Sequence, residues 1–435
     1  MRRLRFPTAV ALALALVGTF AVGTASARPP VSCGGTITTS TTLTADVGPC
    51  SGDGLIVTAN GVTLNLNGHR VFGTAAPEAQ GDFAGIRLQR VSGVTVKGGT
   101  LDHFAAGVMV SEGRGNTVRN LVVRDNISPC QREVHTQSPG LLGDGITVFS
   151  SQGNIVEDNV AEHNGPFSGI SLVAETDPVS GKLTGALPSA NTVRGNTVRD
   201  SNTCFGDIGI RVEGPGANHN VVSGNTVSGS FLEGITVNAV LNTDISGFGV
   251  TCGDPIAFPD LPPCPKFHPP NPANTDNVIR GNESSGNALG HTRAGISLLA
   301  FPFSNNPKRN TIVGNRVERN GGSGIAVLAG TLDDGTRYGA TNNSIIGNVS
   351  IDNNQDGCTI DTCGGPRYDL IDQSEDRPCD HNQWVGNAYR TAFPACTTVG
   401  GRLIPGPSGS APAPVTAAGL RLVGQSPRFL PRFVG

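Results

Sequence analysis

Three charged residues, Asp207, Arg211 and Glu233, stand beside short apolar stretches that would bring them onto one surface. Carboxylates next to a guanidinium are the equipment of acid–base chemistry on activated C–H or acetal bonds. A base can take the proton beside a substrate carboxylate while an arginine stabilises the developing charge. Two carboxylates at a set separation can instead hydrolyse a glycosidic bond, one of them as acid, and Asp207 and Glu233 are the pair for that. Asp144, Arg87, His291 and Arg293 are the candidates for holding a substrate, with His135 near enough in sequence to join them. Calcium is the candidate cofactor, because Asp144, Asp207 and Glu233 would supply part of an oxygen shell. A plainer reading competes: acids before a glycine turn often cap the corner, and outward arginines often form solvated ion pairs.

These residues are positioned by a phrase that the chain repeats. Gly-Ile-x-Val/Leu or a close variant begins at Gly85, Gly107, Gly145, Gly169, Gly209, Gly234, Gly295 and Gly324. A second half, Asn-x-Val/Ile-x-Gly/Asp-Asn or a close variant, begins at Asn116, Asn154, Asn191, Asn220, Asn277, Asn310, Asn343 and Asn382. Alternating apolar residues over so few positions signal strands, and the intervening Gly and Asn suit sharp corners. One phrase cannot bury its apolar face alone, so successive coils must stack with their strands parallel. On each Gly-Ile-x-Val strand Ile and Val face inward and x faces outward. The outward column reads Arg87, Met109, Thr147, Ser171, Arg211, Thr236, Ser297, Ala326, with Asp82, Asp144, Asp207 and Glu233 just before the strands. Stacking would also line up Asn120, Asn159, Asn196, Asn225, Asn282, Asn315, Asn348 and Asn387 in an internal amide ladder.

The repeat resembles that of the right-handed parallel β-helix proteins, the superfamily of pectate lyases and periplasmic copper-delivery β-helices. The resemblance spans residues 33–396. The opening segment CGGTITTSTTLTADVGPCSGDGLIVTANGVTLNLNGHRVFG and the closing YDLIDQSEDRPCDHNQWVGNAY look like the first and last coils of a secreted branch of it. The fold class it implies is all-β, a single right-handed parallel β-helix of about ten coils. The superfamily contains lyases, hydrolases, epimerases and non-catalytic adhesins, so fold alone does not assign an activity. The Asn-Thr-Asp, Asp-Asp and Gly-His-Gly set of its polygalacturonases is not present in order, and the Asp-Pro-His signature of its epimerases is missing. Two methionines and scattered histidines give no soft-ligand cluster for copper.

Residues 1–27 read as a secretion signal: Arg2, Arg3 and Arg5, an apolar run, then Ala25-Ser26-Ala27. Residues 28–399 are the β-helix, and 400–435 are a Pro/Gly/Ala-rich tail. No second apolar span follows, so a soluble exported monomer without a membrane anchor is expected. Losing the three arginines moves the formal charge from −3 to −6, and no basic block exists, which argues against nucleic acid. Ten cysteines in an oxidising compartment favour disulfides. Cys33 with Cys50 and Cys379 with Cys396 would staple the two ends of the solenoid. Cys252 with Cys264 and Cys358 with Cys363 would close loops, leaving Cys130 and Cys204; spacing does not establish this connectivity. Zinc at Cys358 and Cys363 is the rival, without a second pair of ligands nearby.

Departures from the repeat fall at the two ends of the Gly-Ile-x-Val strands. They span 173–190, 238–276 and 328–342 after the strand, and 124–144, 199–208 and 350–367 before it. Loops stacked there would wall a groove, and in repeat scaffolds such loops carry function. The reading is a secreted protein that engages an extracellular or cell-wall polysaccharide in that groove, as a lyase- or hydrolase-like enzyme or as a binder. A non-catalytic cell-envelope or adhesion protein is the alternative. Convergent charges would mark the first; charges dispersed in pairs between coils would mark the second.

Overall fold

The structure, a computed structural model, describes residues 31–74, 83–128, 143–175, 183–201, 208–238, 271–291, 293–300, 306–331, 337–357, 367–373 and 378–405. All lie in the unit Val31–Gly435. Asp207, Asp82 and His135 fall outside the described residues, as do Cys130, Cys204, Cys252, Cys264, Cys358 and Cys363.

Twelve short strands pair in parallel, in chain order, into a first sheet running from Gly35–Ile37 to Ala392–Phe393. The Gly-Ile-x-Val phrases form its middle, for example Ser168–Val173, Ile208–Glu213 and Ile235–Asn238. The sequence leads to about ten rungs; the extra two, Gly35–Ile37 and Ala392–Phe393, lie at the ends and lack the phrase. Two further parallel arrays complete each coil. The second contains Thr192–Arg194 and Val221–Ser223, the third Thr197–Arg199 and Thr226–Ser228. The longer strands Thr95–Asp102 and Thr117–Arg124 run through the corner and join the two arrays.

Inward residues stack like on like. Ile86, Val108, Ile146, Ile170, Ile210, Ile235, Ile296, Ile325 and Leu370 follow one another in strict register, each almost fully buried. Each such side chain contributes roughly 1.5–3 kcal/mol relative to exposure.

Asn159, Asn196, Asn225, Asn282, Asn315, Asn348 and Asn387 form the expected ladder. Each Nδ2 donates to the Oδ1 of the next at 2.9–3.0 Å. Asn120 is not part of it. With φ of 52° it is a left-handed turn residue that points outward, in the place filled by Asp158 and Gly195 in later coils. Leu121 takes the ladder position, its N–H donating to Asn159 Oδ1 at 3.1 Å.

Two more ladders were not foreseen. Asn116, Asn154, Asn191, Asn220, Asn277, Asn310, Asn343 and Asn382 make one, where the coil enters the second array. The other runs from Asn126 to Asn164 and resumes from Asn287 through Asn320 to Asn353, where the coil leaves the third array. Besides a carbonyl of an earlier coil, the amides donate to the next Oδ1 toward the C-terminal end, and at the C-terminal end of these two ladders another acceptor takes that place. Carboxylates fill that role: Asn382 Nδ2 donates to Asp372 at 3.1 Å and Asn353 Nδ2 to Asp369 at 2.9 Å.

The glycine of the phrase answers to space rather than to φ. A Cβ on Gly209 would lie 2.5 Å from the Gly234 carbonyl oxygen and 2.9 Å from Ser230 Oγ, and would strike Val227. Gly209→Ala is expected to lower unfolding free energy by about 1–3 kcal/mol, the usual cost of overpacking. Urea denaturation checks this; an unchanged midpoint would mean that the corner has slack.

Disulfides join Cys33 to Cys50 and Cys379 to Cys396, with Cα–Cα distances of 5.4 and 6.1 Å, so each end of the solenoid is stapled as expected. The terminal strands lie at those ends, which is where a covalent tie constrains fraying.

Candidate functional site

Charges on the second and third arrays pair between neighbouring coils. Arg194 meets Glu157 at 2.5 Å, Arg309 meets Asp276 at 2.8 Å, and Arg199 meets Glu162. Exposed pairs of this kind are worth at most about 1 kcal/mol and suggest no chemistry.

The outer face of the first sheet differs. The predicted column is observed in unbroken register from Arg87 through Met109, Thr147, Ser171, Arg211, Thr236 and Ser297 to Ala326. It is not an exposed floor, however: Met109, Thr147, Ser171, Thr236, Ser297 and Ala326 are all buried. Outward from the coil is therefore not outward from the protein.

One charged group converges there. Arg211 Nη2 lies 3.9 Å from Asp144 Oδ1, Arg211 Nη1 lies 3.4 Å from Glu213 Oε2, and Phe167 underlies the guanidinium at 5.4 Å. Ser171 Oγ is 2.8 Å from both Asp144 Oδ2 and Thr147 Oγ1. Asn238 Nδ2 donates to Glu213 at 2.7 Å, and Asn238 Oδ1 accepts from Thr236 at 2.6 Å. Ser297 Oγ continues the chain to Thr236 at 2.8 Å. Three atoms of this network, Asp144 Oδ1, Ser168 Oγ and Arg211 Nε, are buried with no hydrogen-bond partner. Arg211 and Glu213 form its solvent-facing edge, with side chains 13% and 27% exposed; Asp144 lies behind them at 6%.

Burial pushes the Asp144 carboxyl above the usual carboxylate range; Arg211 and the Ser171 hydroxyl pull the other way, and Glu213 adds to the rise. The folded state thus holds the Asp144 proton more tightly than the unfolded chain does. That linkage stabilises the protein fully below the ordinary carboxylate pKa and is lost as pH rises through the folded value. Asp144→Asn should remove this fall. Melting temperature between pH 4 and 8 should decline less steeply in the variant; parallel curves would show that Asp144 is ionised throughout.

The other candidates are placed elsewhere. Glu233 is buried and faces Arg293, Oε1 to Nη1 3.7 Å, and is not within ion-pair distance of Arg211. His291 stacks on Phe231 with centroids 3.6 Å apart. Arg367 stands near Arg293, its guanidinium driven downward in pKa by burial and then by that neighbour. Glu233, Arg293 and Arg367 thus form a second group at the start of the later strands, and His291 packs on Phe231 rather than on that group. Arg87 is four rungs from Arg211 and is held bidentately by Asp53 at 2.7 and 2.8 Å. Among the described residues no three acidic, histidine or cysteine side chains converge as metal ligands. Asp144 faces a guanidinium and a hydroxyl and Glu233 faces Arg293, while Asp207, the third residue of the expected calcium shell, lies outside the described residues. Glu213 and Asn238 were missed by sequence reasoning. The signal existed: Glu213 shares the outward face of Arg211 by strand alternation, and Asn238 is its register partner. An open groove of about 620 Å³ over Gly195, Gly224, Gly281 and Gly314 lies at a different corner, between the second and third arrays.

Residues 50–248 match the right handed beta helix region family, and the fold is a right-handed parallel β-helix. No curated protein matches it. Among solved structures it is similar to the Dettilon tailspike protein, at 16% identity and a TM-score of 0.45, covering 83% of this chain and 55% of the tailspike. The A-module of an Azotobacter vinelandii mannuronan C-5 epimerase is similar at 14% identity and 0.40, covering 87% and 91%. The catalytic domain of a GH87 alpha-1,3-glucanase in complex with nigerose is similar at 13% and 0.42, covering 75% and 58%. Likeness at this level says nothing of what the present chain binds.

Proposed function

We propose that this chain binds an extended extracellular polysaccharide at the outer face of the first sheet, with Arg211 and Glu213 as contact residues. The observation that carries the reading is convergence. Many charges on the other arrays pair coil to coil, whereas here a guanidinium, two carboxyls, an amide and several hydroxyls meet in one network. Such a set offers the donors and acceptors that sugar hydroxyls need, and rungs repeat at about 4.8 Å, comparable to the advance of a sugar unit. Asp144 acts through Arg211 as a positioning residue. Secretion through the leader at residues 1–27 belongs to the same proposal, and the end disulfides are compatible with it.

A second reading, hydrolysis, is favoured by one observation: a carboxyl pushed toward its neutral form beside a carboxylate held by arginine. Glycosidic hydrolysis uses such a pair. It requires substrate to reach Asp144, which is nearly covered.

The test is a polysaccharide panel, scored for retardation in affinity gels, for reducing ends and for ultraviolet absorbance by unsaturated ends. Arg211→Ala should weaken binding about tenfold, roughly the 1.4 kcal/mol of one charge-assisted contact. Reducing ends abolished by Glu213→Gln would establish hydrolysis, and an absorbance rise would establish a lyase. Silence in all three would leave the non-catalytic envelope role.

A further inference from the structure

The charges on this face bear on which polysaccharide it takes. The outward column from Arg87 to Ala326 carries two cations, Arg87 and Arg211. Asp53 occupies Arg87 with both carboxylate oxygens. Glu213 occupies Arg211, and Asp144 stands behind it. The neighbouring column, two residues further along each strand, reads Gln89, Ser111, Phe149, Val173, Glu213, Asn238 and Leu299, with Glu213 as its single charge. Thr147, Ser171, Thr236, Ser297 and Asn238 lie buried behind this edge, add no charge to it, and bond to one another, to Asp144 or to Glu213. The two columns with Asp53 therefore sum to no net positive charge, and to one negative charge wherever Asp144 ionises.

A uronate polymer carries one carboxylate per acidic sugar and needs cations along its path. Among the described residues the two columns have none to spare, and the whole chain is itself formally at −3. A sugar hydroxyl makes the opposite demand, since it donates and accepts at once. Arg211 Nε is a buried donor without a hydrogen-bond partner, and Asp144 Oδ1, 3.9 Å from Arg211 Nη2, is a buried acceptor without one. The exposed edge repeats the pattern, with the Arg211 guanidinium offering N–H and the Glu213 carboxylate offering lone pairs. Arg293 and Arg367 belong with Glu233 to the second group at the start of later strands.

We infer that the Arg211–Glu213 edge recognises an uncharged polysaccharide, a neutral hexose or pentose polymer, rather than an acidic one. This rests on the polysaccharide-binding reading and specifies its substrate class. Selectivity comes from the carboxylate of Glu213, which repels an anionic polymer while accepting from a neutral sugar.

The experiment is affinity electrophoresis and titration calorimetry of the full disulfide-intact protein. The probes are two neutral polymers, a soluble β-glucan and a galactomannan, and two acidic ones, polygalacturonate and alginate, each in 20 and 500 mM salt. At least one neutral polymer should bind at least tenfold more tightly than either acidic polymer, with affinity little changed by salt. Arg211→Ala should weaken that binding about tenfold. Glu213→Gln, a substitution at a partly exposed position that leaves the fold intact, should gain affinity for the acidic polymers at low salt by about fivefold. Tighter binding of an acidic polymer by the unaltered protein, falling with salt, would overturn the inference and leave the polysaccharide reading standing. No binding of any of the four by folded protein would overturn both.

Discussion

Asp369→Ala should cost about 3–5 kcal/mol of unfolding free energy, the largest loss expected from any single substitution considered. Asp369 is buried at the foot of the third ladder and accepts five hydrogen bonds. Oδ1 takes the Asn353 backbone N–H at 3.0 Å and Asn353 Nδ2 at 2.9 Å. Oδ2 takes the N–H groups of Arg390 and Thr391, both at 2.9 Å, and the Thr391 hydroxyl at 3.2 Å. Alanine leaves three backbone donors without acceptors, and each unsatisfied donor costs about 1–3 kcal/mol, with water recovering part of it. Asp369→Asn should cost less than alanine but clearly more than nothing, because one amide oxygen can serve Asn353 or the 390–391 turn, not both. Guanidinium denaturation of the three proteins, disulfides intact, orders them. Equal midpoints for wild type and alanine would show that the last coil is frayed and the ladder does not depend on its terminal acceptor.

The second large effect is expected in mid-ladder. Asn225→Ala should destabilise the protein by about 2–4 kcal/mol. Asn225 Oδ1 accepts from the backbone N–H and Nδ2 of Asn196, at 2.9 and 3.0 Å, while its own Nδ2 reaches the Val193 carbonyl and Asn282 Oδ1. All of these partners are buried, so removal strands groups on both adjacent rungs and opens a void. Asn120→Gly is the control, since Asn120 has a similar place in the phrase but is exposed and left-handed. Its replacement should change stability by less than about 0.5 kcal/mol, because glycine tolerates φ > 0 at no steric cost. Similar losses at both positions would mean that turn conformation, rather than the amide ladder, makes the phrase necessary.

Asn120 also shows what a repeat phrase can mislead about. Pattern alone puts eight asparagines at one corner, yet in residues 117–124 the chain runs without the usual break, and Leu121 takes the inward place. One residue of slip along a turn exchanges inside for outside, and no count of matches detects it. The two unforeseen ladders were written in the same letters. Asn116 and its successors open each second half, but an asparagine that only shapes a turn and one bonded to the next coil look alike until the coils are stacked.

Local periodicity, summed over many copies, is the part of this protein that its sequence determines alone. It dictates parallel strands, stacked coils, an inward Ile/Val column, an outward column in correct order, and cysteines bracketing each end. Each copy votes for the same backbone path, so errors in single residues cancel. Only the tertiary structure decided which charges meet. Arg211 pairs with Asp144 from two rungs earlier and with Glu213 on its own strand, while Glu233 turns to Arg293. Side-chain reach across rungs depends on burial and on insertions of unequal length, which carry no period. Repetition therefore encodes the scaffold, and the site arises where repetition is broken.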